Sequence, residues 1–119
     1  MPRILSVSRN PRLLAKRNDA LAMAGYGVAS PKDPRDATLL VVQEKFDAVI
    51  IGHSVEGTLR NHLIESIRDL RPTIPVVFAH PTGTEEEPLA DVTVDAEEDP
   101  YAIVNALDKL LRRASSRRP

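Results

Sequence analysis

Cysteine is absent from the 119 residues. Disulfides, thiolate nucleophiles and Cys-ligated zinc are excluded together, and a reducing cytoplasm is the expected compartment. Tryptophan is absent too, and the aromatic rings are those of Phe46, Phe78, Tyr26 and Tyr101. Base stacking needs such platforms, so nucleic acid is not an expected partner. Neither charge sign dominates: 16 Lys and Arg against 17 Asp and Glu leave a net charge of −1. No global field draws in nucleic acid or an acidic membrane. No apolar run approaches the ~20 residues of a membrane span. The short apolar stretch after Met1 lacks the form of a secretory signal. Glycine is scarce, and Ser6-Val7-Ser8-Arg9-Asn10 contains none, so no GxGxxG or P-loop pattern follows the first strand.

What is present is an alternation of apolar runs and amphipathic stretches. The length fits one domain, expected over 1–113, with 114–119 as a disordered basic tail. Arg3 to Ser8 reads as a first strand. Asn10-Pro11 then opens a helix, Asn10 as cap and Pro11 at the first helical position. Leu13, Leu14, Leu21 and Ala24 form its inner face, and Gly25 suits the left-handed residue that ends it. Tyr26 to Ala29 is a short second strand. Asp33 is a plausible cap before a helix with Ala37, Leu40 and Val41 inward.

Ala48 to Ile51 is a third, buried strand, opening into a loop at Gly52. Leu59, Leu63, Ile67 and Leu70 give the next helix an apolar stripe. Ile74 to Ala79 is apolar throughout, so the fourth strand is expected to be covered on both faces. The stretch from His80 to Pro88 is polar and fenced by prolines. It leaves room for one helical turn at most. Asp91 to Asp95 alternates, as a half-exposed fifth strand does. Asp99-Pro100 is another cap-plus-proline start, and Ile103, Leu107, Leu110 and Leu111 carry the last helix inward. Right-handed crossovers between these elements predict an α/β fold with a parallel five-stranded sheet and helices on both faces.

Arg3-Ile4-Leu5, Asn10-Pro11, Ala24-Gly25-Tyr26, Phe46 to Ile51, Gly57, Ile67 to Pro72, Ile74 to Val77 and Asp99-Pro100 stand in an order and spacing similar to the response-regulator receiver domain. The resemblance covers nearly the whole chain. It implies the flavodoxin-like doubly wound sheet, with the fourth helix shortened or absent. Receivers accept a phosphoryl group on an aspartate at the end of the third strand; the matching position here is Gly52. Their acidic pair for Mg²⁺ falls on Ser8 and Arg9. Their switch hydroxyl falls on His80, and their phosphate-binding lysine on Ala96. Glycine offers no nucleophile, and arginine puts positive charge where a cation would sit. Mg²⁺ needs hard oxygen ligands, and phosphoryl transfer needs positioned metal and charge. The resemblance therefore implies a degenerate receiver with no metal, no cofactor and no enzymatic activity.

The remaining polar residues have functional and ordinary readings side by side. His53 and His80 lie near strand ends and read as a phosphohistidine or metal pair, or as solvated loop residues; two histidines without a third ligand make a poor metal site. His62 reads as surface. Gly52, Gly57 and Gly83 allow close approach of a ligand to backbone, or are turn glycines. Arg9 with the first helix N-terminus reads as an anion site or as a surface arginine. Ser8, Ser30 and Ser54 lack a histidine and acid at triad spacing. Arg112, Arg113, Arg117 and Arg118 suit a helix C-terminus. The expected function is a stand-alone, phosphorylation-independent protein-interaction module in bacterial signal transduction. Its partner is another signalling protein or a second copy of the chain, bound by a face of Val92, Val94, Tyr101 and Val104. The alternative is a receiver-like domain that responds to a small anionic ligand or to unconventional phosphorylation at the same sheet edge.

Overall fold

In the computed structural model, residues 2–80, 89–95 and 100–116 are described, with backbone alone for 95 and 113–116. Five parallel strands form one sheet in the order β2-β1-β3-β4-β5: β1 Arg3–Val7, β2 Gly27–Ala29, β3 Ala48–Gly52, β4 Val76–His80 and β5 Val92–Asp95. The helices are α1 Pro11–Met23, α2 Ala37–Gln43, α3 Gly57–Leu70 and α4 Tyr101–Ser116, with a 3₁₀ turn at Pro34–Asp36. This is the flavodoxin-like sheet expected from the sequence. No helix stands among the described residues between β4 and β5, and 81–88 lie outside them.

Local chemistry sets the helix ends. Asn10 Oδ1 accepts hydrogen bonds from the Arg12 and Leu13 amides at 3.1 and 3.2 Å, and Pro11 occupies the first helical position. At the other end Gly25 takes a φ of 95°. Its amide bonds the Ala22 carbonyl at 3.0 Å, and the Tyr26 amide bonds that of Leu21 at 3.1 Å, which closes the last turn. Asp33 caps the 3₁₀ turn through the Arg35 amide at 2.9 Å.

The central strands carry apolar residues on both faces, and two cores result. Leu5, Val7, Val49, Ile51, Val76 and Phe78 pack under α2 and α3, through Val41, Leu63, Ile64 and Ile67. Ile4, Ala48, Ile50, Val77, Ala79 and Val94 pack under α1 and α4, through Ala20, Leu21, Ile103 and Leu107. The fourth strand is thus covered on both sides, as its unbroken apolar run required. In β5 the alternation holds, with Thr93 exposed and Val94 buried.

Three local expectations need correction. Leu70 is exposed and Arg60 is buried, because the last turn of α3 runs past the sheet while Arg60 faces Phe78. Ala24 is exposed, because α1 has already ended at Met23. The last helix runs on to Ser116, into the stretch expected to be a disordered tail. Arginine and alanine favour helix, and no proline or glycine stands between Tyr101 and Ser116.

Tyr26, buried beside α1, donates its hydroxyl to the Asp108 carboxylate on α4. Burial first, and that hydrogen bond second, push the phenol above its ordinary pKa. The folded state therefore holds the phenolic proton more tightly than the unfolded chain does. The contribution is complete below pH ~10 and is lost as the pH rises above it. Tyr26→Phe is expected to lower stability by about 1–2 kcal/mol at neutral pH and to flatten the alkaline fall. Urea melts at pH 7 and above 10 measure both. Equal losses at the two pH values would contradict the assignment.

Candidate functional site

The carboxyl ends of β1, β3, β4 and β5 meet at one edge, where open α/β sheets place their ligands. Parallel register brings Val7 beside Ile51, Gly52 beside Ala79, and His80 beside Asp95. Gly52 closes β3, and a turn from its carbonyl to the Val55 amide, 3.1 Å, leads into α3.

Arg17 fills the space beside Gly52. It rises from α1, is 5% exposed, and lies against the sheet instead of in water. Its Nη1 donates to Ser6 Oγ and to the Val7 carbonyl, both at 3.1 Å. Its Nη2 lies 2.9 Å from the point where a Cβ on Gly52 would stand. That is closer than a real Cβ contact, so any side chain at 52 displaces the guanidinium. What a side chain at 52 would meet is the end of an arginine, and the backbone itself does not call for glycine, since Gly52 does not have a positive φ. Burial lowers the Arg17 pKa to about 10, still far enough above neutrality to keep the group charged. Among the described residues it has no acidic partner.

Two serines tie the loops of this edge together. Ser8 Oγ and Ser54 Oγ lie 3.0 Å apart, and Ser54 Oγ accepts the Arg9 amide at 2.9 Å. Ser8 Oγ also accepts the Asn10 amide at 3.0 Å. The loop that opens α1 is thereby pinned to the loop that opens α3. The Arg9 side chain is exposed. Arg9 is thus an exposed arginine at this edge, and the buried cation beside it is Arg17. Arg9 sits after β1 with its backbone turned by Ser8, and its side chain leaves into solvent. An open depression of about 570 Å³ is bounded by Arg9, Asn10, Pro11, Arg12 and Ser54.

On the other face of the sheet, Phe78 contacts two further polar groups. The Arg60 guanidinium lies over its ring at 4.3 Å, and the His80 imidazole stacks on it with centroids 5.4 Å apart. Arg60 Nη1 also donates to the Val55 carbonyl at 2.9 Å. His80 is half-buried, and the amide of half-buried His53 bonds the Ala79 carbonyl at 2.9 Å. His62 is exposed on α3. Among the described residues no three His, Asp or Glu side chains group to hold a metal ion. Ala96 and Gly83 lie outside the described residues.

The face expected to bind a partner is mostly interior. Val94 and Val104 are buried between β5 and α4, and Val92 is half-buried. Tyr101 is 52% exposed. Beside it, a groove of about 490 Å³ runs between β5 and α4 from Val92 to Leu110.

Sequence reading singled out neither Arg17 nor Arg60, and weighed Ser54 only as a triad serine. Signals for Arg17 were present. Ser6 is a hydroxyl in a strand that had to be buried, and such a group needs a partner. A glycine at the end of a buried strand leaves room that something must fill.

No family model matches the sequence, and no curated protein matches it. Solved structures do match in fold. A CheY-like response-regulator receiver domain from Methanospirillum hungatei has a TM-score of 0.84 at 17% identity, covering 98% of each chain. The response regulator TrrA from Thermotoga maritima, solved in complex with Mg(2+)-BeF, has a TM-score of 0.81 at 18% identity, covering 92% of this chain and 99% of that one. A chemotaxis response regulator of Vibrio cholerae has a TM-score of 0.79 at 17% identity, with 92% and 98% covered. The chain has the fold of response-regulator receiver domains. No described helix is long and apolar enough to cross a membrane.

Proposed function

We propose that this chain is a pseudo-receiver, a module that acts in signal transduction by binding another protein and is not switched by aspartyl phosphorylation. The observation that carries the reading is Arg17. Its Nη2 stands 2.9 Å from the Cβ position of Gly52, which we match to the phosphoacceptor position of receivers. The Thermotoga receiver was solved with Mg(2+)-BeF. Here a buried positive charge borders the end of β3, and it repels a divalent cation. Ser8 and Arg9, which we match to the acidic pair, are spent on a hydroxyl staple and an exposed guanidinium. Hard carboxylate oxygens are what Mg²⁺ requires, and neither residue supplies one.

The reading leaves binding as the activity. We place the partner surface on what β5 and α4 leave exposed, Tyr101 and the adjoining groove with its mixed polar and apolar lining, and not on buried Val104. A second copy of this chain or another signalling protein would fill it. The reading is tested on the whole chain by incubation with acetyl phosphate and Mg²⁺, followed by intact mass. The expected spectrum is that of the unmodified protein. A stoichiometric phosphoryl adduct, abolished by replacing one residue of this edge, would overturn the proposal.

A further inference from the structure

β5 is the last strand of the sheet, and no described strand pairs with its outer side. The ladder fixes which main-chain groups lie open there. The Val49 amide donates to the Pro75 carbonyl at 3.0 Å, and the His53 amide to the Ala79 carbonyl at 2.9 Å. Odd-numbered residues of β4 thus face β3, so residues 76, 78 and 80 face β5. With Val92 opposite Val77 and Val94 opposite Ala79, Val92 and Val94 are the residues that meet them. Thr93, between the two, turns its N–H and C=O to the open side. No other described group takes them.

We propose that this edge takes up an extended, acidic segment of another protein as a sixth strand, seated between β5 and α4. The proposal deepens the reading of the chain as a binding module and rests on it. Edge addition supplies main-chain hydrogen bonds, and side chains alternating on the added strand meet the flanking helix. Such a flank is present. Ala102, Ala106 and Leu110 of α4 line the groove of about 490 Å³ that runs along Val92, Thr93 and Val94. The strand is also fixed in place. The Asp91 amide donates to the Val76 carbonyl at 2.8 Å, and the Asp91 carboxylate accepts the Val76 amide and Arg68 Nη2, both at 2.7 Å.

Charge selects the occupant. Lys109 is the ionisable group of the groove lining. It is exposed, and among the described residues it has no ion pair or hydrogen bond. Exposed Arg112 follows one helical turn later. A carboxylate on the α4 side of the added strand therefore meets positive charge, with apolar side chains beside it on Ala102 and Ala106. A second copy of β5 is a poorer occupant. Antiparallel pairing centred on Thr93 sets Asp91 of one copy opposite Asp95 of the other, and like charges directly opposite are unfavourable.

The test uses the isotope-labelled whole chain and the probe acetyl-Val-Thr-Val-Thr-Glu-amide, whose valines and glutamate alternate onto one face. Expected are saturable shifts at the Thr93, Ala106 and Lys109 amides. The Thr93 amide, open to solvent exchange in the free protein, should slow at saturation, which docking of a helix in the groove would not produce. Replacing the glutamate of the probe by lysine should weaken binding about threefold, and Lys109→Glu should invert that preference. Thr93→Pro removes an outward N–H and no bond to β4, and should weaken binding about tenfold. If that variant does not fold, the inversion in Lys109→Glu decides. N-methylation of the valine amides in one probe and of the threonine amides in another should abolish binding of one and spare the other. Equal binding of the two methylated probes, or Thr93 exchange unchanged at saturation, would overturn the proposal. So would a Thr93 amide already slowed in the protein alone with a molar mass that doubles on concentration, which gives the edge to a second copy. A phosphoryl adduct from acetyl phosphate overturns the pseudo-receiver reading without altering Thr93 exchange, so the two fail separately.

Discussion

Gly52→Asp is expected to yield a folded protein that still neither binds Mg²⁺ nor takes up a phosphoryl group. The new Cβ would stand 2.9 Å from Arg17 Nη2, so the guanidinium must swing aside. The carboxylate it meets is an ideal partner. Planar guanidinium and carboxylate pair through parallel N–H···O bonds, and the pair is nearly enclosed. The introduced carboxyl should therefore titrate roughly 1–3 units below an ordinary aspartate. A lowered pKa favours the folded state above pH ~4, and the contribution is lost as the pH falls through the lowered value. A double-mutant cycle of Gly52→Asp with Arg17→Met should show a coupling of roughly 1–3 kcal/mol in urea melts. Mg²⁺ at millimolar concentration should leave the melting temperature of Gly52→Asp unchanged. Submillimolar Mg²⁺ binding centred on the new carboxylate would show that the guanidinium does not hold it. The partner in this experiment is Arg17 on α1. Arg9, adjacent to β1 in sequence, is exposed and competes only through solvent.

Phe78→Ala is expected to destabilise the fold by about 3–5 kcal/mol, the range for a fully buried aromatic removed from a core. Phe78 is 0% exposed in the core beneath α2 and α3. Its loss opens a cavity among rigid strand residues, Ile51 and Val76 among them, which cannot close over it. A second effect adds to the first. The Arg60 guanidinium, 4.3 Å above the ring and 3% exposed as a residue, loses a face that offsets its desolvation. Phe78→Leu keeps most of the volume and removes the π face. It should fall by less than half as much, mainly through Arg60. Urea denaturation of both variants measures the split. A loss below about 1.5 kcal/mol in Phe78→Ala would mean the core repacks around the gap. The stacking on His80 ties this residue to the sheet edge, so shifted His80 ring resonances should report the same substitution.

What the sequence by itself determined is local or periodic. Asn10-Pro11 and Gly25 marked the ends of α1, because a cap and a left-handed residue act within one turn of chain. The apolar run ending in Val76, Val77, Phe78 and Ala79 could be stable only with both faces covered, and helices on both sides followed. The position of the sheet edge, with Gly52, His53 and His80 upon it, came from the same reasoning. Ser8, Arg9 and Gly52 put no carboxylate at the positions matched to a receiver's acidic pair and phosphoacceptor.

What fills the edge was decided by tertiary structure alone. In Arg12-Leu13-Leu14-Ala15-Lys16-Arg17 three cations look alike, and a helix presents most such groups to water. Only the pairing of β1 with β3 brings Gly52, 35 residues beyond Arg17 in the chain, to where a Cβ would meet its guanidinium. Arg60 was equally hidden, since its burial depends on Phe78 in a strand that follows α3. The buried faces of Val94 and Val104 were decided in the same way, by the packing of α4 on β5. Burial of a long charged side chain depends on the shape of its distant neighbours, and a sequence records their composition but not the space between them.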